Sequence, residues 1–159
     1  MSKIVTQSLE GGILHAFGLT NEFLKVCPDA VWGQKFGGWP VWQQMFHAYT
    51  AIDFFLRPKD AAPEAPLFGD GVGDLKQAAK ETPAKAAVQD YIEKAQAKVR
   101  DYIAGLDDAA LGNSHAGLSA RFGREVTHAA TLALIGSHTM YHLGSCDAAL
   151  RENGMPGVF

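Results

Sequence analysis

The chain has 159 residues, 47% of them apolar and 19% charged, with a formal net charge of −3, which fits one folded domain spanning residues 1–159 and excludes an intrinsically disordered chain. It has no polybasic track of the kind nucleic acid requires, no apolar run near the ~18 residues of a membrane span, and only two cysteines, Cys27 and Cys146, too few for a disulfide scaffold. The N-terminal segment also lacks a signal peptide's basic start, long apolar centre and small-residue cleavage site, so the expected setting is the reducing cytoplasm, with no nucleic acid or membrane partner.

From about Ile4 to Cys27, Val5, Leu9, Ile13, Phe17 and Leu24 recur at spacings near three and four, with Thr20 in the one polar gap. This is helix periodicity. Gly11, Gly12 and Gly18 weaken it, each costing about 1 kcal/mol against alanine in a helix interior, unless they serve close helix–helix approach. Pro28 ends the segment. Residues 33 to 40 read as a turn, and a second helix follows from about Pro40 to Leu56. Its stripe is Val41, Met45, Ala48, Ile52 and Phe55, and beside it runs a second row of Gln44, His47, Ala51 and Phe54. Trp39, Trp42, Phe46, Tyr49 and Phe54 add more aromatic bulk than one core face needs, which points to a pocket lining or a dimer contact.

Arg57 to Pro83 is the longest irregular stretch, rich in proline and glycine, with a helical turn expected at the LKQAAK segment of residues 75 to 80. In a helix bundle a connection this long suits a crossover between non-neighbouring or parallel helices. The third helix is expected from about Pro83 to Ile103, with Thr82 as N-cap, a stripe of Val88, Tyr91, Ile92, Ala95, Val99 and Ile103, and Gly105 closing it. Residues 106 to 124 read as irregular, with His115 solvated in a loop. The fourth helix is expected from about Arg124 to Asn153, with an inner row of Thr131, Leu134, Ile135, His138, His142, Ser145 and Ala149, and with Gly154 and Pro156 behind it. These patterns, without a convincing alternating strand, predict an all-α four-helix bundle with a long crossover connection between the second and third helices.

His138 and His142 lie four residues apart on the fourth helix, so their imidazoles share one face about one turn apart. That spacing suits two ligands of one metal ion. His47, on an inward row of the second helix, is the natural third ligand, and three neutral imidazoles leave a position open for water or substrate. The other reading of these residues is histidines hydrogen-bonded within the core. His15 reads as a core or flank residue, and His128 lies about 15 Å before His138 along the helix axis, too far to share an ion. Cys146 borders the pair as a small buried hydrophobe or a pocket residue. Asp53 and Asp147 are ordinary solvated carboxylates or candidates to orient an imidazole. Arg121 and Arg124 are surface residues or candidates to bind a ligand's carboxylate.

The chain resembles the DinB/YfiT-like superfamily of metal-binding four-helix bundles. The resemblance runs through His47, the pair His138 and His142, Gly144, and Arg151 to Gly154. Ser145 stands where the family often has glutamine, and Tyr141 where many relatives carry another histidine. The resemblance implies a divalent ion, zinc or nickel, on the three histidines. It also implies a metal-dependent enzyme acting on a small molecule, a thiol S-transferase or a hydrolase, with a low-molecular-weight thiol as a candidate cosubstrate. With the aromatic excess it implies a homodimer. A non-enzymatic metal-binding or stress-response protein is the alternative function.

Overall fold

The apolar stripes, apart from Val5 at 53% exposure, turn to the inward faces of four long helices in a computed structural model that describes residues 2–159. In chain order these are α1 (Ile4–Val26), the short α2 (Asp29–Trp32), the strands β1 (Lys35–Phe36) and β2 (Trp39–Pro40), α3 (Val41–Leu56), α4 (Lys85–Ala104), a 3-10 turn (Ala110–Gly112), α5 (Ala116–Phe122) and α6 (His128–Glu152). The fold is predominantly helical. α3 packs against α4 and α6, and α1 packs against the same two helices.

The side chains fix the directions of these helices. Phe46 meets Tyr91 with ring centroids 4.9 Å apart, Gln96 donates to the Tyr49 hydroxyl at 3.3 Å, and Asp53 faces Lys98 at 3.7 Å. Ascending residues of α3 thus meet ascending residues of α4, so these two neighbours run parallel. By contrast, Cys146 reaches the carbonyl of Val41 and His138 reaches Phe55, so α3 and α6 are antiparallel. Residues 57–84 connect the end of α3 to the start of α4.

That connection is irregular but anchored. Gln43, fully buried, donates to the carbonyls of Val72 at 3.1 Å and Gln77 at 2.6 Å, and accepts from the Ala79 amide at 3.3 Å. One side-chain amide therefore satisfies three backbone groups that have no ladder of their own. The expected helical turn at residues 75–80 is replaced by turns and bends, with Leu75 at φ 55° and the amides of Lys76 and Gln77 both donating to the Gly71 carbonyl.

Other boundaries shift for local reasons. Residues 33–40 hold an antiparallel hairpin turned by Gly37 and Gly38 at φ 60° and 96°, and Gln44 of α3 donates to its Phe36 and Trp39 carbonyls. α4 begins at Lys85 behind Ala84, with no side-chain cap, so Thr82 does not cap it. α6 begins at His128 rather than near Arg124, because the Thr127 hydroxyl accepts the Ala130 amide at 3.2 Å. It ends with Gly154 left-handed at φ 76° and the Met155 amide returning to Leu150. Asp108, beyond α4, supplies the N-terminus of α1 with an acceptor, taking the Thr6 amide at 2.9 Å.

Most of the predicted aromatic excess is spent inside. Trp42, Phe46 and Tyr49 are at most 2% exposed and belong to one apolar cluster drawing on all four long helices. Among the described residues no helix is long and apolar enough to cross a membrane.

Candidate metal centre

Antiparallel packing of α3 on α6 brings the three predicted ligands together. The ring centroids of His47 and His138 lie 5.1 Å apart, those of His47 and His142 4.6 Å, and those of His138 and His142 4.7 Å. One nitrogen from each lies within 4.8 Å of the other two. Among the described residues this is the one group of three or more His, Cys, Asp or Glu side chains with such convergence.

His47 is oriented by the backbone. Its Nδ1 donates to the Gly73 carbonyl at 2.7 Å, which leaves the Nε2 lone pair for the centre of the triad. The same carbonyl accepts from the Thr50 hydroxyl at 2.6 Å. Glycine fits closely at residue 73, where a Cβ would sit 3.0 Å from the Thr50 methyl and 3.4 Å from Phe46, so that these side chains would have to give way by a few tenths of an ångström. Asp53 and Asp147, the carboxylates considered from sequence for this role, are engaged elsewhere. Asp53 pairs with Arg57 at 3.2 Å and with Lys98. Asp147 holds Arg151 at 2.7 Å and the Val158 amide, and Arg151 also donates to the carbonyl of Phe159, so this pair fastens the C-terminal tail.

His138 and His142 each carry a buried Nδ1 with no protein partner. Histidines hydrogen-bonded in the core would fill these positions, since an unpaired buried polar group costs about 1–3 kcal/mol. Burial lowers all three imidazole pKa values. Burial, then the proximity of His47, takes His138 to about 4, while burial, then His47 and His138, takes His142 to about 3. The triad is therefore neutral near pH 7, the state in which imidazole nitrogens can coordinate. Unsatisfied buried nitrogens, mutual proximity and neutral charge fit a divalent cation.

His47 and His138 face a cavity of about 760 Å³, and His142 stands behind them at 7% exposure. Phe46, Phe54, Phe55 and Phe122 form apolar walls, while Asp53 and Arg57 lie on the same lining as a closed ion pair. The cavity is large enough for a small-molecule substrate.

The remaining sequence candidates lie outside this constellation. His15 is exposed on α1. Cys146 is fully buried, with its Sγ toward the Val41 carbonyl, and burial pushes its thiol far above the ordinary range. Ser145 faces the hairpin turn, 3.4 Å from where a Cβ on Gly37 would lie. Tyr141 is 76% exposed. Arg121 donates to the Arg57 carbonyl and stacks 5.3 Å over Phe54, and Arg124 is exposed. His115 is a correction. It is 6% exposed rather than solvated, because its Nδ1 caps α5 by accepting the Leu118 amide at 3.0 Å.

Sequence patterning did not single out Gly73, Thr50 or Gln43 for the site.

The family model for the DinB superfamily matches residues 15–146, a span that contains all three histidines. Among solved structures, the crystal structure of a DinB-like protein from Bacillus cereus ATCC 10987 is similar, with a TM-score of 0.70 and 20% sequence identity over 96% of this chain and 97% of that one. That likeness is one of fold. No curated protein matches this chain.

Proposed function

The chain belongs to the DinB superfamily, and from that premise we propose that it is a divalent-metal protein whose ion is held by His47, His138 and His142 and serves chemistry on a small molecule in the adjoining cavity. Convergence of three nitrogens within 4.8 Å carries this reading. We read the four long helices as a single four-helix bundle domain, with residues 57–84 as its crossover between parallel neighbours.

Three imidazoles suit zinc or nickel and leave coordination positions for an exogenous ligand. A divalent ion bound there supplies a Lewis acid that lowers the pKa of a coordinated thiol or water. His47 is aimed by the Gly73 carbonyl, and the phenylalanine-walled cavity accommodates a substrate with an apolar body. The reactions that fit are thiol S-transfer, with a low-molecular-weight thiol as cosubstrate, and hydrolysis, in a cytoplasmic setting.

Metal analysis of untagged protein tests the centre. About one equivalent of zinc or nickel is expected, and His142→Ala should abolish it. Less than about a tenth of an equivalent, unchanged by that substitution, overturns the reading. Loaded protein that turns over model electrophiles with low-molecular-weight thiols, or hydrolyses model esters and amides, supports an enzyme. Inertness toward both favours a metal-binding protein without catalysis.

We also propose a homodimer, built on the outer faces of α1 and α6 rather than on the core aromatics. Ser8, Gly11, His15 and Gly18 on α1, and Ala133, Ser137 and Tyr141 on α6, are exposed and carry no Asp, Glu, Lys or Arg. Small residues allow close approach of a second copy. Sedimentation equilibrium should give twice the chain mass, and Gly11→Glu should halve it.

A further inference from the structure

A second cluster of titratable side chains lies at the N-terminal end of α6, about 15 Å along the axis from His138 in the middle of that helix. His128 begins that helix, and its Nδ1 is 2.5 Å from the Tyr102 hydroxyl of α4. His115 sits beside both, with ring centroids 5.5 Å from His128 and 5.8 Å from Tyr102. None of these residues touches the three metal-site histidines. Yet the cluster holds the segment that carries one cavity wall.

That segment is α5. With seven residues it is too short to persist by itself in water. At its start, His115 Nδ1 accepts the Leu118 amide, while the His115 amide donates to Val126 and the His128 amide to Asn113. At its end, Gly123 is left-handed at φ 63°. Its inner face meets the C-terminus of α3. Gly117 lies so close to the Arg57 carbonyl that a Cβ would approach it to 2.3 Å, Arg121 donates to that carbonyl, and Phe122 packs 6.0 Å from Phe54. Phe122 lines the cavity together with Phe54, Phe55 and His138.

We infer that α5 is an acid-released flap on the cavity, latched by His115 with His128 and Tyr102. The latch is polar in one direction. A backbone amide can only donate, so His115 Nδ1 must keep its lone pair, and the ring's single proton sits on Nε2. A second proton on Nδ1 turns the acceptor into a donor facing a donor. It also places a cation at the N-terminus of α5 and beside His128, the first residue of α6, where both helix dipoles oppose positive charge. The titratable and charged groups facing the pair are Tyr102 from α4, Arg121 from α5 and, across Arg121, Arg57 and Asp53 from α3. Arg121 adds to the opposition.

The pKa values run the same way. Burial, then His128, lowers His115, and burial lowers His128. A histidine whose pKa is lower when the flap is shut favours the shut form above the ordinary imidazole pKa of about 6.5. It releases the flap as pH falls through that value toward the depressed one. The flap is therefore shut near neutral pH and opens in mild acid, carrying Phe122 off the cavity.

Amide hydrogen exchange at pH 7.5 and pH 5.0, corrected for intrinsic rates, reads this directly. Protection across residues 115–122 should fall about tenfold or more in acid. His115→Asn keeps a capping oxygen but cannot titrate, so its protection should change less than about threefold. Acid effects on the metal-site histidines are common to both proteins and cancel in the comparison. Equal protection of wild-type α5 at both pH values, or an undiminished acid response in His115→Asn, overturns the proposal. If His115→Asn does not fold, His115→Ser supplies the same comparison. An NMR titration of the wild type adds an independent reading. Loss of the α5 amides should track protonation of His115, and α5 amides that stay intact through that titration refute the latch.

Discussion

His47 is oriented by a backbone carbonyl rather than by either candidate carboxylate. The Gly73 oxygen fixes which nitrogen of His47 carries the proton, and a Cβ at Gly73 would crowd Thr50 and Phe46. Gly73→Val should displace the carbonyl and weaken metal binding about 10–100-fold, the usual effect of losing a partner that orients a ligand. Isothermal titration with zinc would measure this, and an unchanged affinity would show that His47 needs no such support. Gly117 presents a sharper steric case, since its neighbours include the backbone oxygen of Arg57 and the amide of Lys59. Gly117→Ala should destabilise the fold by about 1–3 kcal/mol in urea denaturation, the range of an overpacked interior.

At the scale of elements, the connection over residues 57–84 and the start of α1 are each anchored by a polar side chain distant in sequence. Gln43→Leu would leave the Gln77 carbonyl and the Ala79 amide without their partner and the Val72 carbonyl with the Leu75 amide alone, a loss of about 1–3 kcal/mol or more. Because Gly73 belongs to that connection, the substitution should also lower zinc affinity. Loss of stability without any change in affinity would uncouple the loop from the site. Asp108 anchors α1 through the Ser2 hydroxyl and the Thr6 amide and hydroxyl. Ser2 first, with the Thr6 contacts, holds its carboxyl at about 2, below the ordinary 3.8. A lowered acid pKa contributes stability that is complete above the unfolded value and is lost as pH falls through the folded one. Melting temperature should therefore drop between about pH 4 and 2 more steeply in wild type than in Asp108→Asn. Parallel pH profiles for the two proteins would rule this out.

For the whole molecule, the proposed ion joins two helices, and its binding free energy adds to folding free energy. Zinc at 100 times its dissociation constant should stabilise the protein by about 2.7 kcal/mol. His47→Ala and His138→Ala should each remove that gain, although one residue lies on α3 and the other on α6. Calorimetric melting with zinc and with a chelator would test this, and an equal zinc-induced shift in both variants would place the ion elsewhere.

The helices themselves were legible because a core-facing helix must repeat its apolar residues at 3.6, and the stripes of α3 and α4 are buried nearly as read. The spacing of His138 and His142 was legible for the same reason. Irregular segments were not, since their structure depends on partners distant in sequence. The sequence could not reveal that Gln43 holds residues 72–79, that Asp108 serves α1, or that His115 caps a helix within the stretch expected to be loop. It also left the partner of His47 open, because every residue carries a carbonyl and nothing in residue identity tells which one will face an imidazole. The local pattern of side chains determined which faces turn inward and proposed three ligands. Tertiary structure decided that the three meet, because convergence depends on the antiparallel seating of α3 on α6, a relation between segments some 90 residues apart that no local period encodes.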